Sequence, residues 1–202
     1  MRLPVLLLSL LLAVPLAGRA QVGRTAPLDS AEARQLLTQA ARQYPKFAAA
    51  LRAVRQDPLL GQLLLVRPTG PFSSPASANP TGNVRLDVRF LEQPRPGFDD
   101  NRLVVVLYHE VGHLHYFRTV PPGQRTPEAS ERAAFDYSLL KTKELAAAGD
   151  CGPLQTGLRF MRLRSQSSDL ADPHVRALKS LVQEPTYTEY KAYVAAHCPA
   201  QP

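Results

Sequence analysis

The stretch LVVVLYHEVGHL, residues 103–114, decides how the rest of the chain is interpreted. It is apolar apart from His109, Glu110 and His113, which predicts a buried helix in the core. Four residues advance a helix by about 400°, so both imidazoles project from one face within a turn of each other. That spacing suits two ligands of a tetrahedral Zn²⁺, with Glu110 placed to accept a proton from a metal-bound water. The motif therefore predicts one zinc ion and a reaction in which Glu110 takes a proton from a zinc-bound water.

The flanking residues indicate where this helix begins. Asp99, Asp100 and Asn101 provide a helix N-terminus, and no proline interrupts the chain from residue 102 to residue 120. The valines at positions 104–106 favour a strand locally, so a short strand leading into the helix is an alternative for that part. The alternative for the whole motif is a buried helix with two structural histidines and no metal.

The five residues from His109 to His113 resemble the zincin metallopeptidases. The resemblance implies His109 and His113 as zinc ligands and Glu110 as the general base. A metzincin has a further histidine six residues after His113, with a glycine between, but this chain has Thr119 and Tyr116 there. Gluzincins instead take a glutamate from a second helix, often within the pattern Glu-x-x-Ala-Asp.

A second helix follows in the segment TPEASERAAFDY, residues 126–137, where Thr126 is the expected N-cap and Pro127 the first helical residue. Its residues 131–134 match the first four positions of the gluzincin pattern, and Asp136 is displaced by one residue. The resemblance therefore implies Glu131 as the third ligand and leaves the partner of the ligating histidine open. The other candidates for the third ligand are Glu128, His174 and Asp136.

The resemblance to small gluzincins implies an α+β fold, a mostly helical zincin-like domain with a small β-sheet before the motif helix, and the remaining patterns agree with it. Residues 63–66 are a candidate for a short buried strand, and the alternation of apolar and polar residues from Val84 to Phe90 predicts a half-buried one. Residues 68–82 are rich in proline, glycine and serine and predict a loop. Further helices are expected near residues 31–44, 46–55, 153–166, 173–184 and 186–197.

The N-terminal residues predict export. Arg2, the apolar segment 3–16 and the small residues around Gly18 form a signal peptide at residues 1–20, followed by a single zincin-like metallohydrolase domain at residues 21–202. No later segment predicts a membrane span, and no cysteine near the cut predicts a lipid anchor. We therefore expect a secreted or periplasmic protein, in which residues 21–60 are an integral part of the domain rather than a propeptide.

Cysteines and charge agree with an exported domain. Cys151 and Cys198 are the only cysteines and are expected to form a disulfide bond in an oxidising compartment. Without Arg2 and Arg19, the net charge of +7 falls to about +5. The basic residues are scattered and lack interleaved aromatic residues, so we expect no nucleic-acid partner.

These observations predict an exported zinc-dependent metallopeptidase that hydrolyses bonds in a peptide or protein substrate by Glu110-assisted attack of a zinc-bound water. One alternative is a zinc-stabilised or degenerate zincin that acts as a non-catalytic binding module, and another is a hydrolase of non-peptide amides in the cell envelope. His115 is expected on the far side of the motif helix, where it packs. The residue that stabilises the developing oxyanion stays open among Tyr187, Tyr190, Tyr193, His174 and His197, although the tyrosines favour a packing role.

Overall fold

The computed structural model describes residues 26–68 and 74–199, and the predicted signal peptide lies outside them. These residues form a mostly helical α+β fold, which confirms the predicted fold class. The strands are β1 (Ala26–Pro27), β2 (Gln62–Arg67), β3 (Ala76–Ala78) and β4 (Asn83–Asp87). The α-helices are α1 (Ser30–Gln43), α2 (Pro45–Val54), α3 (Arg89–Glu92), α4 (Asp100–Thr119), α5 (Pro127–Ala147), α6 (Gly152–Ser165), α7 (Pro173–Leu181) and α8 (Pro185–His197).

Helix α4 carries the motif and runs through the centre of the molecule. The Asp99 side chain caps it by accepting a hydrogen bond from the Arg102 amide at 2.8 Å, as the sequence predicts. The valines at 104–106 are helical, so the alternative of a short strand there is wrong. Helix α4 packs against α2, α5, α6 and β3, and burial on several sides outweighs the local strand preference of these valines.

The sheet has the strand order β1-β2-β4-β3. Strands β2 and β4 pair in parallel, whereas β1 and β3 are antiparallel to their neighbours and occupy the two outer positions. Apolar side chains of β2 and β4 join those of α1, α2 and α4 in one core cluster. The sheet therefore supports α4 from one side and places β3 beside the motif.

The largest differences between the sequence-based boundaries and the structure within the sheet concern β3 and β4, and the helix expected at residues 173–184 ends at Leu181. The predicted loop at residues 68–82 contains β3, whose short Ala-Ser-Ala sequence has little strand preference and is extended because it pairs with β4. The strand predicted to reach Phe90 ends at Asp87. There the carboxylate of Asp87 accepts hydrogen bonds from the Arg89 amide and side chain, which turns the chain into α3.

The N-terminal helices belong to the same core as the motif helix. Helix α2 has no side-chain cap of its own, and the carboxylate of Asp100 in α4 accepts hydrogen bonds from the amides of Lys46 and Phe47 at 2.9 and 2.7 Å. Because α4 satisfies the free amides of α2, the two helices depend on each other. This arrangement supports an integral role for residues 26–60.

Helices α5 to α8 enclose a second apolar cluster. Tyr187 is buried within it and donates a hydrogen bond to the Leu158 carbonyl at 2.7 Å, in keeping with the expected packing role. The predicted disulfide between Cys151 and Cys198 is present and joins the start of α6 to the end of α8. None of the helices formed by the described residues is long and apolar enough to cross a membrane.

Candidate metal centre

Three imidazoles surround one carboxylate oxygen between α4, α5 and α7. Oε2 of Glu131 lies 3.1 Å from Nε2 of His109, 3.6 Å from Nε2 of His113 and 3.1 Å from Nε2 of His174. The side chains of His109, His113 and Glu131 are 10, 10 and 13 % exposed, whereas His174 is 41 % exposed. The three sequence-predicted ligands thus lie close to one another through Glu131, and the donor atoms that all lie within 4.8 Å of one another are those of His109, Glu131 and His174.

The distances from Glu131 to the three histidine nitrogens are those expected between two ligands of one tetrahedral metal ion. Nitrogen and oxygen atoms bound at about 2.0–2.2 Å to one tetrahedral ion lie about 3.3–3.6 Å from each other. The three distances of 3.1–3.6 Å from Glu131 bracket this range. Imidazole nitrogen and carboxylate oxygen are also donors that zinc accepts. The residues present therefore fit a zinc ion.

A close contact between two helices sets this geometry. Gly112 in α4 faces α5 so closely that a Cβ atom there would lie 2.7 Å from Cα of Ala134 and 2.9 Å from Cβ of Tyr137. Ala134 is three residues after Glu131, on the same face of α5. The missing side chain at Gly112 thereby allows Glu131 to approach the two histidines of α4.

We expect Gly112→Ala to lower the free energy of unfolding by about 1–3 kcal/mol, because the added methyl group meets the backbone of α5. We expect the displacement of α5 to weaken zinc binding as well. Urea denaturation and zinc titration measure both effects. Gly157→Ala is the matched control, because its Cβ would lie 3.4 Å from Val105, an ordinary contact, and its stability should not fall. Equal stability of the two variants would contradict this account of the helix contact.

The second ring nitrogen of each histidine has a different environment. Nδ1 of His113 lies 2.8 Å from Oγ of the buried Ser130, and Nδ1 of His174 lies 2.9 Å from Oδ1 of Asp172. Nδ1 of His109 is buried without a hydrogen-bond partner among the described residues. Such partners orient ligating histidines and select the tautomer that frees Nε2.

Sequence reasoning missed both of these partners. Ser130 directly precedes the glutamate and carries no pattern of its own. Asp172 has a visible signal, because an aspartate before Pro173 is a typical helix N-cap, and it does accept a hydrogen bond from the His174 amide at 2.8 Å.

Other candidate residues lie elsewhere. Glu128 pairs with Arg176 at 2.8 Å, and Asp136 accepts a hydrogen bond from Arg132 at 2.9 Å, so neither carboxylate joins the histidines. His115 lies 3.0 Å from Asp57 and stacks on Tyr137, away from the cluster, as predicted. The ring of His197 packs against Tyr193 near the end of α8. Of the oxyanion candidates, His174 alone borders the cluster.

Burial controls the charge states of the group. It lowers the pKa of His113 to about 4, with the neighbouring His109 adding to the effect, and holds the pKa of His109 well below its usual value. Both rings are therefore neutral near pH 7, which is the form that binds metals. Burial, together with the nearby charge of Glu131, raises the pKa of Glu110 to about 8. A carboxyl group with a pKa near neutrality suits general acid–base chemistry.

Two cavities meet at the cluster, and both are bordered by Glu110, His174 and Ser74. One is a cleft of about 420 Å³ that also borders β3, His113 and Tyr116. The other, of about 360 Å³, extends along α4 towards its N-terminus and is lined by aromatic side chains. Both cavities therefore border the same group of candidate ligands.

We compared the chain with protein-family models, with curated proteins and with solved structures, and none of them matches. The geometry of the residues themselves is thus the basis for assigning a function to this centre.

Proposed function

We propose that this chain is an exported zinc-dependent metallopeptidase of the gluzincin type, acting on peptide or protein substrates. The observation that carries the proposal is the placement of Glu131 within 3.1–3.6 Å of His109 and His113, with the buried Glu110 bordering the adjoining cleft. The arrangement provides three protein ligands and a carboxylate base at the mouth of a cavity, the composition of a catalytic zinc site.

In this proposal each residue has one role. His109, His113 and Glu131 hold the metal. Zinc, when bound, supplies a Lewis acid that lowers the pKa of water and polarises the carbonyl of the reacting peptide bond. Glu110 accepts the proton of the attacking water and then donates it to the leaving amine. A metal cation beside Glu110 favours its ionised form, which offsets the effect of burial on its pKa.

The outer strand of the sheet provides a surface for an extended peptide. Pro75 O accepts from the Asp87 amide at 2.9 Å, and the Asn79 amide donates to Asn83 O at 3.0 Å. In an antiparallel pair, hydrogen-bonding residues alternate, so the backbone groups of Ala76 and Ala78 face away from β4. Because β3 borders the cleft, its outer edge supports substrate binding by strand addition.

His174 has two candidate roles that lead to different functions. Its Nε2 lies near Glu131 while Asp172 holds its Nδ1, so its ring can donate a hydrogen bond to a developing oxyanion. The same atom is also close enough to serve as a fourth protein ligand. Four protein ligands would close the site and leave a zinc-stabilised binding module. We favour the oxyanion role because His174 is the most exposed member of the group and borders both cavities.

The direct test is hydrolysis of a mixture of unstructured peptides by the purified mature chain, followed by mass spectrometry. We expect cleavage that 1,10-phenanthroline stops and that added zinc restores, since the metal is required for the reaction. A preparation with one zinc per chain that cleaves no peptide would contradict the peptidase assignment. Cleavage of cell-envelope amides by that preparation would indicate a different substrate class.

A further inference from the structure

The side chain of Arg102 lies on the same helix as the candidate metal ligands and is 8 % exposed. It precedes His109 by seven residues, which is about 20° short of two full turns of an α-helix. Arg102 and His109 therefore share one face of α4, separated by about 10 Å along the helix axis. Its positive charge acts on the centre, because it contributes to the lowered pKa of His109.

The guanidinium group of Arg102 has no carboxylate or hydrogen-bond partner among the described residues. Its carbon lies 3.2 Å from the ring centre of Phe160 and 5.7 Å from that of Phe98. The charge of Asp99 acts on Arg102 through space, but its carboxylate accepts a hydrogen bond from the Arg102 backbone amide rather than from the guanidinium. Stacking occupies one face of the guanidinium plane and leaves the N–H groups at its edge able to donate.

A buried positive charge without a partner is unusual, because removal of a charge from water costs free energy that a paired anion normally offsets. Burial lowers the pKa of Arg102 to about 9, so the group stays protonated near pH 7. The free N–H groups thus belong to a buried cation that forms no hydrogen bond or ion pair with an anion among the described residues.

These groups border the aromatic cavity that also contains the candidate base. The cavity of about 360 Å³ is lined by Arg102 and by Phe98, Phe135 and Phe160, and it reaches His109 and Glu110. Arg164, the other cation at this cavity, is paired with Asp172. Arg102 is therefore the cation of this cavity that is available to an incoming anion.

We propose that this cavity is a specificity subsite that binds a carboxylate group of the substrate, with Arg102 as the anchor and the aromatic rings as its walls. A guanidinium fork binds a carboxylate through two parallel hydrogen bonds, and a site of low polarity strengthens the pair. The carboxylate belongs either to an acidic side chain or to the C-terminus of a peptide. The inference depends on the proposed peptidase function for its substrate, but a binding measurement tests it without turnover.

The experiment measures binding of hexapeptides that carry an uncharged BODIPY label to the zinc-loaded Glu110→Gln chain by fluorescence polarisation. One probe is an alanine-rich peptide with a free C-terminus, and a second is its C-terminal amide. Further amidated probes carry a single glutamate, or a glutamine in its place, at each position in turn. We expect at least tenfold tighter binding of one carboxylate probe than of its neutral counterpart, since charge-assisted hydrogen bonds are roughly twice as strong as neutral ones.

Variants assign this preference to Arg102. Arg102→Met should abolish the discrimination, Arg102→Lys should retain part of it, and Arg118→Met should leave it unchanged because Arg118 is exposed on the same helix. The melting temperature of Arg102→Met should stay the same or rise, since an unpaired buried charge is removed. A fall in melting temperature with unchanged peptide discrimination would establish a structural role and overturn the subsite.

Failure of the subsite is distinguishable from failure of the peptidase assignment. Equal binding of charged and neutral probes by a chain that hydrolyses peptides overturns the subsite alone. A carboxylate preference that depends on Arg102, in a chain that hydrolyses nothing, retains the subsite and overturns the enzyme. Preference for the free C-terminus assigns the anchor to a terminal carboxylate, and preference for one glutamate position assigns it to a side chain.

Discussion

Glu110→Gln is expected to keep its zinc and to lose turnover by about 10²–10⁴-fold, the range that general acid–base groups contribute. The amide has nearly the same size as the carboxyl group, so α4 and the metal ligands should be undisturbed. It cannot accept the proton of the attacking water. Steady-state kinetics on a cleaved peptide, together with elemental analysis of the same preparation, measures both properties.

Glu128→Gln is the matched control for this variant. Glu128 pairs with Arg176 at 2.8 Å and is 47 % exposed, so its turnover should equal that of the wild type. Full activity in Glu110→Gln would exclude the proposed proton transfer. Loss of zinc in Glu110→Gln would instead show that Glu110 supports the metal site.

Removal of one ligand is expected to lower zinc affinity by more than about 100-fold, because loss of an outer hydrogen-bond partner alone costs about 10–100-fold. We expect this loss in His113→Ala and Glu131→Ala, measured by competition with a fluorescent zinc chelator. Ser130→Ala should lower the affinity by about 10–100-fold, since Ser130 is the hydrogen-bond partner of Nδ1 of His113 and is not itself a proposed ligand. Asp136→Ala should keep its affinity, because Asp136 pairs with Arg132.

The same titration on His174→Ala distinguishes the two candidate roles of His174, oxyanion donor and fourth zinc ligand. An oxyanion role leaves zinc affinity nearly unchanged and lowers turnover, whereas a ligand role lowers the affinity as strongly as in His113→Ala. Zinc retained in Glu131→Ala would indicate His174 as the third ligand, since its donor atom lies within 4.8 Å of that of His109.

The long helices were predictable because their signals are local. Asp99, Thr126 and Asp172 cap α4, α5 and α7 with side-chain hydrogen bonds of the kind that short polar residues make at helix starts. Strand β3 was not predictable in this way. Its residues become a strand through pairing with β4, and such pairing depends on distant parts of the chain that periodicity does not report.

The same distinction between local signals and tertiary packing applies to the residues of the candidate site. His109 and His113 are four residues apart on one helix, so their proximity follows from helix geometry alone. Ser130, Asp172 and Arg102 acquire their relation to the centre only when α5, α7 and the aromatic residues pack around α4. Arg102 in particular has the sequence context of an ordinary surface residue near a helix start. Its burial against Phe160 results from the packing of α6 on α4.

The contact at Gly112 makes one nominally variable position of the HExxH motif a restricted one. A pattern written only from catalytic roles would accept any residue there, but in this fold a Cβ atom would meet α5. Among chains that share the architecture, we therefore expect the residues at the positions of Gly112 and Ala134 to covary in size, with small pairs replaced only by other small pairs. A search signature for relatives should combine H-E-x-G-H with a serine–glutamate–x–x–alanine segment whose glutamate follows the first histidine by about 22 residues.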